Sequence, residues 1–336
     1  MSRRILIVAA ALAGALLAGG CVKTFVPSEQ EDTICFRAQS LLLQDDAPTK
    51  AAAPLENSFK VFGKRNNSFT VFSGDSVSPS GSGTWTYSPL RFWLWERMTD
   101  YYDFVGVSPV SAATTAAAFD PDAPAMTVKV PYDATATGYD LVMSAVRRLA
   151  SETQPRRTVE LEFYHMLSKV EIVVENTSDD PQALTVDSFH FEKLVTSAKA
   201  KATFNTQGQG DLSWSDPIRS GASLGSASPD EEIDAGDDYS CGTVYMIPQR
   251  LDVNPGNKPK LVLNYSYTIP GESEEHKSVD IDLDQITLSN GNAITRWDRG
   301  VHYTYTIRIR IGGDVQVILT TTEWDVTYAE TPGLLI

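Results

Sequence analysis

The sequence predicts an all-β protein built from two tandem β-sandwich domains. Many short runs alternate apolar and polar residues or are rich in β-branched and aromatic residues. Segments with the apolar periodicity of a strong amphipathic helix are absent. Turn-forming residues separate the runs at short intervals, a spacing that is typical of sandwiches. The sequence has no internal repeat with the period of a solenoid.

The first 20 residues have the features of a secretory signal peptide. Arg3 and Arg4 precede an apolar run of 13 residues, Ile5–Leu17, and small residues at 18–20 precede Cys21. The run is shorter than the roughly 20 residues that span a bilayer. The small residues and the cysteine resemble the lipobox of bacterial lipoproteins, in which the thiol takes a diacylglyceryl group before cleavage. We therefore expect cleavage before Cys21 and acyl chains such as palmitate on that residue; an ordinary signal peptide followed by chance by a cysteine is the alternative.

The mature chain is long enough for two domains. It would contain 316 residues, from Cys21 to Ile336, and domains commonly have about 100–200. Residues 21–32 are polar and predict a tether. A second polar segment, residues 150–157, contains proline and predicts a domain boundary. The predicted domains are therefore residues 33–155 and residues 156–330.

Strands of the N-terminal domain are predicted from period-2 alternation and β-branched or aromatic content. They are Thr33–Ala38, Phe59–Gly63, Ser68–Phe72, the aromatic segments Trp85–Tyr87, Phe92–Trp95 and Tyr101–Val107, then Met126–Pro131 and Asp140–Val146. Two loops are predicted between these strands, because they are rich in proline, aspartate, glycine, serine or alanine. Residues 44–54 separate the first two strands, and residues 73–83 precede the first aromatic segment. Residues 112–118 are predicted to be a loop, since threonines and a following Asp-Pro interrupt the alanines.

Strands of the C-terminal domain follow at short spacing. They are Val159–Phe163, Lys169–Glu175, Val186–Phe191, Thr243–Pro248, Leu261–Thr268, Val279–Leu283, Tyr303–Ile311, Val315–Leu319 and Trp324–Tyr328. Tyr303–Ile311 alternates most clearly, so one of its faces should be buried.

Charge and cysteine content restrict the partners. The formal net charge is −15, and the signal carries two arginines and no acid, so the mature chain carries −17. Such a chain is not expected to bind nucleic acid, nor to be drawn to anionic lipid by its overall charge. Cys35 and Cys241 remain after Cys21, and either a long-range disulfide or two separate thiols fits the sequence.

No catalytic constellation stands out, and we expect no enzymatic activity and no cofactor. The four histidines form no HExxH motif, and a GxSxG elbow and a P-loop are missing. His165 fits a structural strand histidine better than a general base. The acidic pairs at 231–232 and 274–275 fit solvated turns, and the aspartates at 179–180 and 237–238 lack the spacing of a calcium loop.

The aromatic cluster has two interpretations. Trp85, Trp93 and Trp95 could stack on sugar rings as a glycan platform. Alternatively, they belong to the sandwich core, which the placement of Trp93 and Trp95 on one strand face favours.

Scattered segments together resemble the fimbrillins, the subunits of the type V pili of Bacteroides-type bacteria. They are Thr49–Ala51 ahead of Phe59–Gly63, Asp140–Ala145, Phe163–Val170, Trp297–Tyr305 and Trp324, and they keep the order and spacing of the family's patterns. The resemblance implies two β-sandwiches of transthyretin-like, Greek-key topology. It also implies a surface-exposed outer-membrane lipoprotein that becomes part of a fimbrium and takes part in cell adhesion.

The resemblance further implies assembly by strand addition. A trypsin-like protease removes the N-terminal segment with its first strand, and a strand from a neighbouring subunit fills the vacated groove. In this sequence the expected cut lies between Lys50 and Ala51, which would release residues 33–38, with Arg37 as an alternative basic site inside the strand. If Lys50 is only a solvated loop residue, the chain stays a permanently anchored lipoprotein, with glycan binding as its alternative function. The partners implied are other pilus subunits, membrane lipid through Cys21 and ligands on host or bacterial surfaces.

The chain end bears on the role within a pilus. Only residues 325–336 follow Trp324, which is short for a donor strand. An anchor, accessory or tip subunit is therefore expected, and the alternative is a lipoprotein that never polymerises.

Overall fold

The structure is a computed structural model that describes residues 33–40, 53–54, 58–80, 85–111, 113–136, 138–153, 157–179, 182–219, 224–225, 232–288, 291 and 293–324. Its regular structure is almost entirely β-strand, with short 3₁₀ segments at Ala113–Ala116, Pro255–Asn257 and Leu283–Gln285. The all-β prediction is therefore confirmed. Within these ranges, no helix has the length and apolar character needed to span a membrane.

Nine of the first eleven strands build one large sheet. The eleven strands are β1 (Phe36–Ser40), β2 (Ala53–Pro54), β3 (Phe59–Arg65), β4 (Phe69–Pro79), β5 (Trp85–Thr86), β6 (Tyr101–Ser108), β7 (Ala118–Phe119), β8 (Val128–Asp133), β9 (Val142–Ser144), β10 (Arg147–Ala150) and β11 (Val159–His165). Nine of them form a sheet in the order β2-β1-β11-β9-β6-β3-β4-β5, and β10 also pairs with β6. Strand β6 is buried on both faces along residues 102–108, as expected for the middle of a sheet covered on two sides.

Twelve further strands follow. They are β12 (Ser168–Asn176), β13 (Leu184–Glu192), β14 (Val195–Phe204), β15 (Gly210–Arg219), β16 (Glu232–Ile233), β17 (Asp238–Met246), β18 (Gln249–Arg250), β19 (Lys260–Tyr267), β20 (Glu275–Asp282), β21 (Arg296–Trp297), β22 (Val301–Ile309) and β23 (Val315–Glu323). Together with β7 and β8 they form three four-stranded sheets, β17-β12-β22-β23, β16-β13-β19-β20 and β15-β14-β8-β7, and the short ribbon β18-β21.

Three apolar cores lie between these sheets. The N-terminal core consists of Ile34, Phe36, Ala38, Phe59, Val61, Phe72, Val77, Tyr87, Trp93, Tyr102, Phe104, Val142, Leu149, Val159, Leu161 and Phe163. It covers one face of the large sheet. Because side chains alternate along a strand, neighbouring residues of β6 and β9 reach the opposite face and enter a second core.

The second, middle core lies between the large sheet and the sheet β15-β14-β8-β7. It includes Val105 and Val107 of β6, Val128 and Val130 of β8, and alanines 198, 200 and 202 of β14. The C-terminal core joins the two remaining four-stranded sheets, through residues such as Val170, Ile172 and Val174 of β12 facing Leu261 and Leu263 of β19. Alternate residues of β12 and β22 enter this core, which the sequence predicts for both.

The two halves of the chain share strands. Strand β11 follows the predicted boundary at residue 155, yet it pairs with β1 in parallel and with β9 in antiparallel orientation. The hairpin β14-β15 also follows that boundary, and β14 pairs with β8 along residues 197–202. The division into residues 33–155 and 156–330 stays a prediction, and hydrogen-bonded ladders cross it.

Two buried features constrain the central strand β6. The Asp103 carboxylate is fully buried and accepts two hydrogen bonds from the Arg148 guanidinium, at 2.7 and 2.8 Å. Burial raises the pKa of the Asp103 carboxyl, and the guanidinium opposes that shift. Farther along the strand, a Cβ atom at Gly106 would collide with the Phe163 ring, so this position has room only for glycine.

Candidate functional site

Strand β1 is held in the large sheet by backbone pairing with β11 on one side and β2 on the other, and the residues before it pair with the segment around Arg91. It runs parallel to β11, in a register that joins Phe36 to Val159 and Ser40 to Phe163. The Val159 amide donates a 2.7 Å hydrogen bond to the Cys35 carbonyl just before the strand. On the opposite side the Ile34 amide donates to the Arg91 carbonyl, at 2.9 Å. Loss of β1 would leave the edge of β11 unpaired along residues 159–163.

The side chains of this segment alternate into the N-terminal core. Ile34, Phe36 and Ala38 are at most 4% exposed, whereas Cys35 and Arg37 face solvent. Full burial of an isoleucine or phenylalanine side chain contributes about 1.5–3 kcal/mol. The segment therefore fills a groove in the core.

Phe36 is the main contact of the segment. Its ring meets the rings of Phe59, Phe72, Tyr87 and Phe104 edge-on, with centroid distances of 5.5–6.1 Å. Edge-to-face pairs of this kind add about 0.5–1.5 kcal/mol each beyond burial. An aromatic groove therefore surrounds one inserted ring.

Tyr87 anchors the start of the segment. Its hydroxyl donates a 2.7 Å hydrogen bond to the Ile34 carbonyl. Burial raises the pKa of this hydroxyl to about 12, so the group stays a donor at physiological pH.

Of the residues predicted for lipidation and proteolytic processing, the structure describes only Arg37. Cys21, Lys50 and Ala51 lie outside the described residues. Arg37 is exposed in the middle of β1 and pairs with Glu160 at 3.3 Å. Its backbone belongs to the β1-β11 ladder, and a protease needs an extended substrate free of such pairing. This geometry counts against Arg37 as a cleavage site while β1 is in place.

Cys35 and Cys241, the two cysteines that the structure describes, are separate thiols. Cys35 is exposed beside β1, and Cys241 is buried in the C-terminal core. Burial raises the pKa of the Cys241 thiol to about 12, which keeps it protonated. Of the two alternatives open in the sequence, the structure has the unpaired thiols.

The candidate glycan-stacking residues line the core rather than an open platform. Trp93 is 4% exposed, and its ring stacks on Trp95 at 5.3 Å with an edge contact to Tyr102 at 4.9 Å. Trp85 is half-buried and contacts Phe59 at 5.1 Å. A buried ring has no free face for a sugar, so the geometry contradicts a stacking role for Trp93 and favours the core interpretation.

His165 lies in a buried stack beside the middle core. The rings of His165 and Trp324 are 3.8 Å apart and nearly parallel, and Trp324 stacks on Tyr245 at 5.3 Å. The His165 Nδ1 atom lies 2.7 Å from the Asp140 carboxylate. Because this histidine is 3% exposed and stacked on the Trp324 ring, the structural interpretation fits it.

The turn before β22 joins Trp324, in the stack, to the backbone at Leu167. The Gly300 amide donates to the Leu167 carbonyl, and the Trp324 amide donates to the Gly300 carbonyl. The Trp297 indole donates to the Tyr305 hydroxyl at 2.8 Å. Among the motif residues that the structure describes, Phe59 and Phe163 line the groove filled by β1. His165 and Trp324 form the stack, whereas Trp297 and Tyr305 belong to the C-terminal core.

Among the residues that the structure describes, no group of three or more histidine, cysteine, aspartate or glutamate side chains is arranged to hold a metal ion.

Comparison with known proteins agrees with this architecture. A family model described as fimbrillin-like matches residues 55–324. A fimbrial protein from Bacteroides vulgatus has a similar structure, with a TM-score of 0.58, 14% identity, and 88% of this chain and 100% of that chain covered. No curated protein sequence gives a significant match.

Two further solved structures are similar, both described as candidates for cell adhesion. The protein from Parabacteroides distasonis has a TM-score of 0.55 and 10% identity, covering 89% of this chain and 98% of that chain. The protein from Bacteroides uniformis has a TM-score of 0.51 and 15% identity, covering 87% of this chain and 99% of that chain. At these identities the structural likeness shows the fold alone.

Proposed function

Because the chain belongs to the fimbrillin-like family, we propose that it is a structural or adhesive subunit of a cell-surface pilus that is assembled by exchange of β1. Membership of the family supports a pilus or adhesion role at the cell surface and a non-enzymatic one. The finer steps are export as an outer-membrane lipoprotein through Cys21, cleavage after Lys50, and replacement of β1 by a strand of a neighbouring subunit.

The observation that carries the proposal is the way β1 is bound. Its side chains fill an aromatic groove, and its backbone satisfies the edge of β11. A donor strand with a similar alternation of apolar residues would make the same two kinds of contact. An emptied groove would also expose unpaired backbone groups, which favours capture of such a strand.

The position of Lys50 supports the same reaction. It lies between β1, which ends at Ser40, and β2, which begins at Ala53. A cut after Lys50 would separate β1 from the rest of the chain, so only non-covalent contacts would hold it. The lipid on Cys21 would belong to the released segment, and it would then serve as a temporary anchor.

A lysine-specific protease tests the proposal. We expect brief digestion of the mature protein to give a new N-terminus at Ala51, read by N-terminal sequencing. Addition of a peptide with the sequence of residues 33–40 should then compete with formation of higher oligomers on size-exclusion chromatography. Lys50→Gln is the control that should resist the cut and stay monomeric. A cut protein that loses β1 and still forms no oligomer at high concentration with a donor strand present would contradict strand exchange.

A further inference from the structure

Exposed apolar side chains are concentrated on one part of the described chain. Among the described residues, seven large apolar side chains are well exposed, and five of them lie between residues 69 and 98. These five are Phe69, Leu90, Phe92, Leu94 and Met98, and we call them the apolar stripe. Isolated exposed apolar residues need no explanation, whereas a cluster marks an interaction surface.

The stripe arises from an extended segment that alternates along residues 90–95. Trp93 points into the N-terminal core, while Leu90 and Leu94 are more than half exposed. Phe92 lies between them on the same outward side, at 36% exposure. The period-2 alternation places the three outward residues in one row.

Phe69 and Met98 extend the row at the Leu94 end. The Arg65 guanidinium lies over the Phe69 ring at 5.6 Å and donates a 2.7 Å hydrogen bond to the Leu94 carbonyl. The turn containing Met98 is fixed to the same hairpin, since the Asn66 amide donates to the Asp100 carboxylate at 2.9 Å. The five residues therefore belong to one supported surface.

This surface lies where the tether enters the fold. Thr33, the first described residue, forms a β-bridge with Phe92. Residues 21–32 connect it to Cys21 and can extend over about 40 Å at most. If Cys21 carries lipid, the bilayer is within that reach of the stripe.

The local charge also suits a membrane. Residues 58–100 carry five lysines and arginines against three acids, whereas the whole chain carries −15. The acidic surplus that would repel anionic lipid therefore lies elsewhere in the chain. Apolar side chains flanked by arginines are typical of surfaces that enter the boundary between headgroups and acyl chains.

We infer that the apolar stripe docks on the lipid bilayer that holds the chain through Cys21, so that the unprocessed subunit lies against the membrane. The inference rests on the lipidation in the proposed function. Apolar insertion supplies most of the binding, and the exposed Arg97 contacts lipid phosphates. Release of the residues before Ala51 would then remove the acyl anchor and leave only this weaker contact.

The test separates the stripe from the anchor. The mature chain, residues 21–336, carries Cys21→Ser so that no lipid is attached, and its flotation with vesicles of phosphatidylethanolamine and phosphatidylglycerol is measured. We expect measurable partition into the vesicles. The partition coefficient should fall by at least tenfold in Leu90→Ser/Leu94→Ser/Met98→Ser, because each inserted apolar side chain increases it roughly tenfold. Ile218→Ser, an equally exposed apolar residue on β15, is the matched control and should change nothing.

A second measurement uses the lipidated protein in vesicles that contain brominated lipid. Trp93 and Trp95 lie behind the stripe, so their fluorescence should be quenched in the wild type and in Ile218→Ser but not in the triple variant. Equal flotation of all three chains, or unchanged quenching in the triple variant, would overturn the inference. A dimer in sedimentation that the triple variant abolishes, without vesicle binding, would assign the stripe to a second copy instead. Absence of lipid on Cys21 by mass spectrometry would refute the anchor while leaving flotation of the Cys21→Ser chain informative.

Discussion

Phe36→Ala tests whether β1 is held mainly by its aromatic groove. The Phe36 ring is 4% exposed and contacts four aromatic rings. Truncation of a buried phenylalanine to alanine costs about 3–5 kcal/mol, from lost transfer energy and the cavity that remains. We therefore expect the free energy of unfolding of the intact chain to fall by about that amount, measured by urea denaturation.

In the chain cleaved after Lys50, Phe36→Ala tests directly how tightly the groove binds β1. After cleavage between Lys50 and Ala51, β1 is retained only by non-covalent contacts, so the lost energy appears as weaker retention of the segment. A loss of about 3–5 kcal/mol corresponds to roughly a hundredfold to a few thousandfold in dissociation constant. Dilution of the nicked protein followed by size-exclusion chromatography and mass spectrometry measures how much segment remains bound.

Arg37→Ala is the matched control in the same strand. Its exposed pair with Glu160 should contribute little, because solvent screens surface ion pairs. We expect at most a few-fold change in retention. If Phe36→Ala lowered the stability of the intact chain but left the retention of the nicked segment unchanged, the groove would not hold β1 and the reasoning would be refuted.

Three further predictions concern the folded state. Trp324→Ala should lower the free energy of unfolding by about 3–5 kcal/mol in urea denaturation, because the stack over the middle core would lose its closing ring; an unchanged midpoint would contradict the stack. Arg148→Ala should cost about 2–3 kcal/mol at neutral pH, since it leaves the Asp103 carboxylate buried without its partner. The pKa of Asp103 is already raised by burial and would rise further without the guanidinium, so the folded variant would bind the proton more tightly than the unfolded chain. The loss of stability relative to the wild type should therefore shrink as the pH falls through that pKa, measured by urea denaturation from pH 7 to pH 4. A loss that grows over this range would contradict the reasoning. Gly106→Ala should lower the thermal midpoint through overpacking, whereas Gly138→Ala, with open space around its Cβ position, should not.

Strands with strong alternation were predictable from the sequence. The prediction of Tyr303–Ile311 overlaps β22, and that of Lys169–Glu175 overlaps β12, to within a few residues at each end. In both, one face enters the C-terminal core, so the apolar pattern reports burial directly. The predicted Asp140–Val146 strand shortens to Val142–Ser144, because the residues on either side lie outside the ladders with β6 and β11.

The hairpin β14-β15 was not predicted. Its buried positions include alanines 198, 200 and 202, which have low strand propensity and give a weak apolar alternation. Besides its hairpin partner β15, the segment β14 pairs with β8 across the predicted domain boundary. Such a long-range partner leaves no signal in the segment itself.

The candidate site was predictable in part. The first strand and its inward residues follow from the pattern of residues 33–38, and the core interpretation of Trp93 follows from its spacing to Trp95. The groove was not predictable, because residues from β3, β4, β6 and β11 contribute to it. Nor was the apolar stripe, since the local pattern does not tell which face of residues 90–95 is covered.

The sequence by itself determined the strongly alternating strands, their buried faces and the motif set that marks the family, since these depend on local periodicity and residue type. The tertiary structure alone decided which strands pair, where Phe36 inserts, and that Trp324 closes a stack on His165. Strand pairing depends on contacts between residues far apart in the chain, whose energies no single segment contains. For that reason β1 is recognisable as a strand from the pattern of residues 33–38, but as an exchangeable one only in the groove that holds it.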